Sequence, residues 1–300
     1  MIDFHSHFFS RTFFETLAKL SPQDGTVDEK LARVVEKTGL ELPDPDDGAH
    51  LDRWLSMLDA HGVDHFVSFA SAPPEAPVLA AMAERAGGRM TPFAMIDPTA
   101  DGAAAAAEKL LGAGPFRGLL LFPAMHRYDP SGPEAADVLA VADAHRAVVV
   151  VHCGLLLVKL RDLLGLPRGY DLTLADPLRL VPAADAHRNA TFVIPHFGAG
   201  YLRETLMAGA QCGNVCVDTS SSNAWLATQP APTTLATVFE RALGAFGAER
   251  VLFGTDSSTL PRGWRADLKQ AQEAALEEAG ADEATKAAVF DGNARRVLGV

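Results

Sequence analysis

Short runs of β-branched and aromatic residues alternate eight times with Ala-, Leu-, Glu- and Arg-rich stretches along the 300-residue chain, and few architectures accommodate that pattern. The apolar runs predict strands at residues 2–5, 63–69, 91–96, 118–122, 148–152, 191–195, 215–218 and 251–254. The stretches between them predict helices at 49–61, 76–86, 102–111, 134–145, 177–187, 201–211, 233–246 and 266–279. Val148, Val149, Val150 and Val151 form a run with no polar alternation, the mark of a strand covered on both faces, as in a parallel sheet. Eight strands each followed by a helix define an α/β chain of the (β/α)8 TIM-barrel class. A doubly wound sheet shares the alternation but carries a glycine-rich phosphate loop after an early strand. The nearest candidate here, Gly198-Ala199-Gly200, lacks the third glycine.

No linker, repeat or low-complexity tract divides the chain, so residues 1–300 read as one domain. Two segments exceed the usual connection length: a short insertion after strand 1, at about residues 21–47, and a long loop after strand 5, at residues 153–176. Within the first, Pro43-Asp44-Pro45-Asp46-Asp47-Gly48 reads as a turn that caps the next helix.

Composition narrows the functional classes. Apolar residues at 48% and charged residues at 21% suit a globular protein and argue against disorder. A net charge of −12 repels phosphate backbones, so nucleic acid is not an expected partner. No apolar stretch approaches the roughly 18 residues of a membrane span, and the opening Met-Ile-Asp-Phe-His-Ser-His has no leader character. Cys153, Cys212 and Cys216 form no paired motif, which fits a reducing compartment; the expected location is the cytoplasm.

The chemistry-bearing residues sit at strand ends. His5 and His7 are two apart in strand 1, a spacing that puts both side chains on one face, and neutral imidazole is a common zinc ligand. His152 ends strand 5, His196 follows strand 6 and Asp256 follows strand 8. In a barrel the C-terminal strand ends share one mouth, where active sites are built. A buried core histidine or a helix-capping aspartate explains any one of these positions, but not four separate strands ending in a ligand type.

At this level the chain resembles the amidohydrolase superfamily, and within it the amidohydrolase-related branch that includes aminocarboxymuconate-semialdehyde decarboxylase. The resemblance rests on Ile2-Asp3-Phe4-His5-Ser6-His7, Val151-His152-Cys153-Gly154, Pro195-His196-Phe197-Gly198-Ala199-Gly200, Phe253-Gly254-Thr255-Asp256 and the closing Gly292-Asn293-Ala294-Arg295-Arg296-Val297-Leu298-Gly299. It implies a metal-bearing barrel with His5, His7, His152 and Asp256 as ligands, and His196 hydrogen-bonded to a metal-bound water or to substrate. Binuclear relatives carry a carboxylated lysine or a glutamate at the end of strand 4. Here that strand reads Gly118-Leu119-Leu120-Leu121-Phe122, so one divalent ion per chain is expected, zinc first, with manganese or iron also suited to the donor set. Many relatives follow the strand-8 aspartate with an aromatic residue and proline, whereas Ser257, Ser258, Thr259 and Leu260 precede Pro261 here.

Asp256 and His196 are therefore the expected catalytic residues, Asp256 as proton carrier and His196 as hydrogen-bond donor to a developing oxyanion. The expected reaction is hydrolysis of a small ester, lactone or amide; non-oxidative decarboxylation of a carboxylated aromatic or enol acid is the alternative. No Gly-x-Ser-x-Gly elbow supports a serine nucleophile. His126, Arg127, Arg161, Ser220 and Trp225 are the expected substrate contacts, with Thr219 to Asn223 as a hydroxyl-rich patch and Phe8, Phe9 and Trp264 as further aromatic lining. The long strand-5 loop allows a homodimer, in keeping with the association common among such barrels.

Overall fold

The computed structural model describes residues 1–220 and 224–300. Eight parallel strands run in sequence order around a (β/α)8 TIM barrel: β1 Ile2–Ser6, β2 His65–Ala70, β3 Met90–Met95, β4 Gly118–Leu121, β5 Val148–Val151, β6 Thr191–Ile194, β7 Val215–Asp218 and β8 Val251–Leu252. Helices alternate with them around the outside. The ring closes where β1 meets β8. The Phe4 amide donates to the Phe253 carbonyl at 2.8 Å, the Asp256 amide to the His5 carbonyl at 2.8 Å, and the His7 amide to the Ser257 carbonyl at 2.7 Å.

Strand alternation sorts the core into two layers. Phe69, Phe93, Leu120, Val148, Val150, Val193, Cys216 and Leu252 fill the barrel interior, while Phe66, Leu119, Leu121, Val149, Val151, Phe192, Ile194, Val215 and Val217 pack against the helices. The same parity carries His152 and Asp218 inward and places Cys153 in the outer layer. In β1 the parity is broken. Phe4 lies edge-on to Phe93, Phe93 edge-on to Phe69, and His5 lies 4.6 Å from the Phe69 ring, so consecutive residues reach one interior stack. The pairing of β1 with β2 is correspondingly irregular between Asp3 and Ser6.

The segment after β1 that holds the expected insertion is largely helical. It folds into helices Arg11–Leu20 and Val27–Thr38, the second opened by a capping box between Thr26 and Glu29. The expected turn before the next helix is present, with Asp46 accepting from the amides of Gly48 and Ala49. Phe13, Phe14, Leu17, Leu31 and Val34 of this insertion pack against Leu164 and Leu166 of the β5 loop. The Ser21 hydroxyl donates to the Leu164 carbonyl at 2.6 Å, joining segments that leave opposite walls of the barrel. The predicted helix at 177–187 is shorter than expected: a 3₁₀ turn, Pro177–Leu180, leads into a single short helix, Val181–Ala186.

Gly118 lets the interior pack. A Cβ there would stand 2.4 Å from the Val148 carbonyl oxygen and 2.6 Å from the Phe93 ring. Gly118→Ala is therefore expected to destabilise the barrel by about 1–3 kcal/mol, the usual cost of overpacking. A thermal melt unchanged from wild type would contradict this account of the interior.

Candidate active site

Strand ends deliver the expected residues to one place. Asp256 Oδ1 lies 3.3 Å from His7 Nε2 and 3.8 Å from His5 Nε2, and these three groups have ligand atoms within 4.8 Å of one another. Ligand atoms about 2.1 Å from a tetrahedral cation sit roughly 3.4 Å apart, so the spacing suits a shared ion. His196 lies with its ring 4.8 Å from that of His5 and 5.3 Å from that of His152. His152 thus borders the cluster while falling outside the tight group. Its ring stacks on Phe122 at 5.4 Å, and its Nδ1 is buried with no hydrogen-bond partner among the described residues.

The backbone works to place these groups. Strand parity alone would point His196 outward with Phe192 and Ile194; left-handed backbone at His196 (φ 57°) and Phe197 (φ 51°) turns it into the mouth. Asp256 is also left-handed, at φ 57°. Such conformations are disfavoured for non-glycine residues and concentrate at functional sites.

The electrostatics favour the neutral imidazole at His7, His152 and His196 and the ionised carboxylate at Asp256. Burial holds the imidazoles of His7 and His196 below their ordinary pKa, and burial with the neighbouring His196 and His5 takes His152 down to about 3. At His5 burial opposes protonation, yet the charges of Asp218, Asp256 and Asp3 outweigh it and raise the pKa. Burial works against ionisation of Asp256, but the hydrogen bond from His7 and the surrounding imidazoles hold its carboxyl well below the usual range. Neutral nitrogen donors beside an anionic oxygen donor are what a divalent cation requires.

Two carboxylates not singled out in the sequence support this arrangement. Asp218, fully buried at the end of β7, accepts from His5 Nδ1 at 2.8 Å and from the His196 amide at 3.1 Å. Its position, an acid closing a strand, is the signal that marked Asp256. Asp3 accepts from the amides of His5 and Thr255, from the Thr255 hydroxyl and, at 2.8 Å, from Trp264 Nε1. It pins β1 to the segment after β8, and burial pushes its carboxyl up to about 6.

The expected substrate contacts divide. His126 Nδ1 is buried without a hydrogen-bond partner, 3.8 Å from Asp97 Oδ1, and half-buried Arg161 has an unpartnered Nε and no ion pair among the described residues. Arg127 is exposed, and its guanidinium lies beside Gly169. Ser220 is fully buried, with its hydroxyl bonded to Asp218 and His196, so it is already committed within the protein. Trp225 is 4% exposed and packs with Phe197 in the outer apolar layer. Phe8 is buried against His50 and Trp54, and Trp264 is held by Asp3. Phe9 alone of these aromatics meets the cluster, stacked on His7 at 4.8 Å. Of the hydroxyl-rich patch, Ser221, Ser222 and Asn223 lie outside the described residues.

The sequence profile of the amidohydrolase family matches residues 2–300, and the chain belongs to that family. Its members are enzymes that act on small molecules and typically hold a metal. No curated protein matches the sequence. Among solved structures, the chain is similar to 5-carboxyvanillate decarboxylase from Sphingomonas paucimobilis (16% identity, 100% of this chain and 99% of that one, TM-score 0.67). It is also similar to 2,6-dihydroxybenzoate decarboxylase from Rhizobium (18%, 99% and 98%, TM-score 0.64). A third is a Pseudomonas putida protein assigned as a 2-pyrone-4,6-dicarboxylic acid hydrolase (21%, 99% and 97%, TM-score 0.64). At these identities the likeness concerns the fold. Among the described residues no helix is long and apolar enough to cross a membrane.

A third carboxylate, Glu75, is fully buried behind His7. It accepts from the Ser10 amide at 2.8 Å, the Ser10 hydroxyl at 3.0 Å and the Ser71 amide at 2.9 Å, while Ser71 Oγ lies 3.2 Å from His7 Nδ1. Burial pushes its carboxyl from an ordinary 4.5 up to about 7 despite these donors. A raised folded-state pKa means that the stabilising contribution is full below about pH 4.5 and is lost as pH rises through about 7. Glu75→Gln removes that loss, so the melting temperature of the variant relative to wild type is expected to be more favourable at about pH 8 than at about pH 5. Equal offsets at both pH values would contradict the buried-acid account.

Proposed function

We propose that the protein is a metal-dependent hydrolase of a small carbonyl compound, an ester, lactone or amide. It would hold one divalent ion, zinc before manganese or iron, between His5, His7, His152 and Asp256. The observation that carries this reading is the grouping of His5, His7 and Asp256 at the barrel mouth, with a neutral His7 imidazole beside an anionic Asp256 carboxylate. A divalent cation held there would polarise a substrate oxygen and lower the pKa of a bound water toward about 7. Asp256, an anion at the reacting position, accepts the proton of the attacking water and returns it to the leaving group. His196, buried nearby, would accept the remaining proton of the added hydroxyl as the carbonyl re-forms, leaving the product carboxylate, and release that proton to solvent.

Arg161 and His126 form the proposed substrate clamp. An arginine that is half-buried and unpaired is matched by a substrate carboxylate, which a guanidinium holds through two parallel hydrogen bonds. Arg127, exposed on the same rim, would meet the entering anion.

Decarboxylation is the second reading. It draws on the names of two structural neighbours, both decarboxylases of ring-bearing acids, and on the same Arg161. On that route Asp256 or His196 would deliver a proton to substrate carbon as CO₂ departs. The two readings separate in one assay. Metal-loaded protein is incubated in heavy-oxygen water with a panel of carboxylated aromatics, lactones and amides. Hydrolysis predicts heavy oxygen in the product carboxylate and no CO₂; CO₂ release without oxygen incorporation would overturn it.

A further inference from the structure

We infer that Asp218 is a positioning residue whose single carboxylate sets the tautomers of His5 and His196 together, through a direct bond to one and through the Ser220 hydroxyl to the other. The inference extends the proposed function, since it rests on His5 being a metal ligand. It follows from counting hydrogens.

Asp218 Oδ2 faces His5 Nδ1 at 2.8 Å, and a carboxylate oxygen can only accept. Neutral His5 therefore carries its proton on Nδ1, and Nε2, the nitrogen that faces Asp256, keeps its lone pair. Asp218 Oδ1 receives three donors: the His196 amide at 3.1 Å, the Ser220 amide at 2.9 Å and the Ser220 hydroxyl. That hydroxyl has one hydrogen, and it is spent on Asp218. Ser220 Oγ, 2.9 Å from His196 Nδ1, is left with lone pairs toward the ring, and the Ser220 carbonyl, 3.1 Å from the same nitrogen, is an acceptor as well. His196 Nδ1 must therefore be the donor. Its Nε2 bears the lone pair, so neutral His196 accepts a hydrogen bond in the mouth. This revises the expectation that His196 stabilises an oxyanion by donation: only its protonated form can do so.

The arrangement predicts what Asp218→Asn does. Three donors face the Oδ1 position and one ring nitrogen faces Oδ2, so the carboxamide oxygen stays at Oδ1 and its NH₂ turns to His5. His5 Nδ1 must then accept, its proton moves to Nε2, and the lone pair required for a metal is lost. The test uses the metal-free full-length protein with nitrogen-labelled histidine rings, at a pH where the imidazoles are neutral, with signals assigned from His5→Gln and His196→Gln spectra. Wild type is expected to show Nδ1–H and a bare Nε2 at both residues. Asp218→Asn is expected to move the His5 proton to Nε2 and to weaken zinc binding, measured by chelator competition, by about tenfold to a hundredfold. Nε2–H at either histidine in wild type overturns the inference, as does Asp218→Asn with wild-type His5 signals and zinc affinity. If Asp218→Asn does not fold, the wild-type spectrum decides alone. Wild type that binds no zinc yet shows both Nδ1 protons refutes the metal site and leaves the tautomer assignment standing.

Discussion

Closure of β1 against the segment after β8 is the constraint on which the rest depends. Asp3 takes the amide and hydroxyl of Thr255, a residue 252 positions away, and His5 takes the amide of Asp256. Those bonds bring the first imidazoles and the last carboxylate of the site into one wall. Once they are joined, barrel parity brings His152 inward from β5 across the barrel and Asp218 inward from β7 beside the seam, and a left-handed turn adds His196. The site is thus a consequence of ring closure rather than of any local motif.

The mouth is narrowed by segments that have no counterpart in the minimal barrel. The helices after β1 and the β5 loop share a small apolar core, and Phe9 and Phe13, stacked at 4.1 Å, extend from it to His7. Glu75 ties the base of the same insertion to the end of β2 through Ser10 and Ser71. Enclosure of this kind lowers the local dielectric, which keeps the imidazoles of His7, His152 and His196 neutral and strengthens every charge interaction at the cluster.

Much of this was legible in the sequence, because eight apolar runs and eight helical periods leave little choice of fold, and ligand-type residues at the ends of β1, β5, β6 and β8 mark one rim. Every strand boundary agreed to within two residues. What sequence could not show is what depends on backbone irregularity or on contacts between distant loops. Simple alternation does not anticipate the register change in β1, nor the left-handed turn that reverses His196. Ser220 and Trp225 have the right chemistry and sequence neighbourhood for substrate contacts, but Asp218 and the outer apolar layer had prior hold on them. Asp218 itself obeyed the strand-end rule and was hidden by its resemblance to an ordinary strand terminus. Glu75 carries little local signal: Ser71 is four residues before it, but Ser10 reaches it only by folding.

The central claim is that one divalent ion sits among side chains from the two ends of the chain. Anomalous diffraction at the zinc edge from crystals of the zinc-loaded protein tests it most directly. The account predicts a single peak at about 2.0–2.2 Å from His5 Nε2, His7 Nε2, a His152 ring nitrogen and an Asp256 oxygen. A peak bonded instead to Asp218, or two peaks in the mouth, would contradict it.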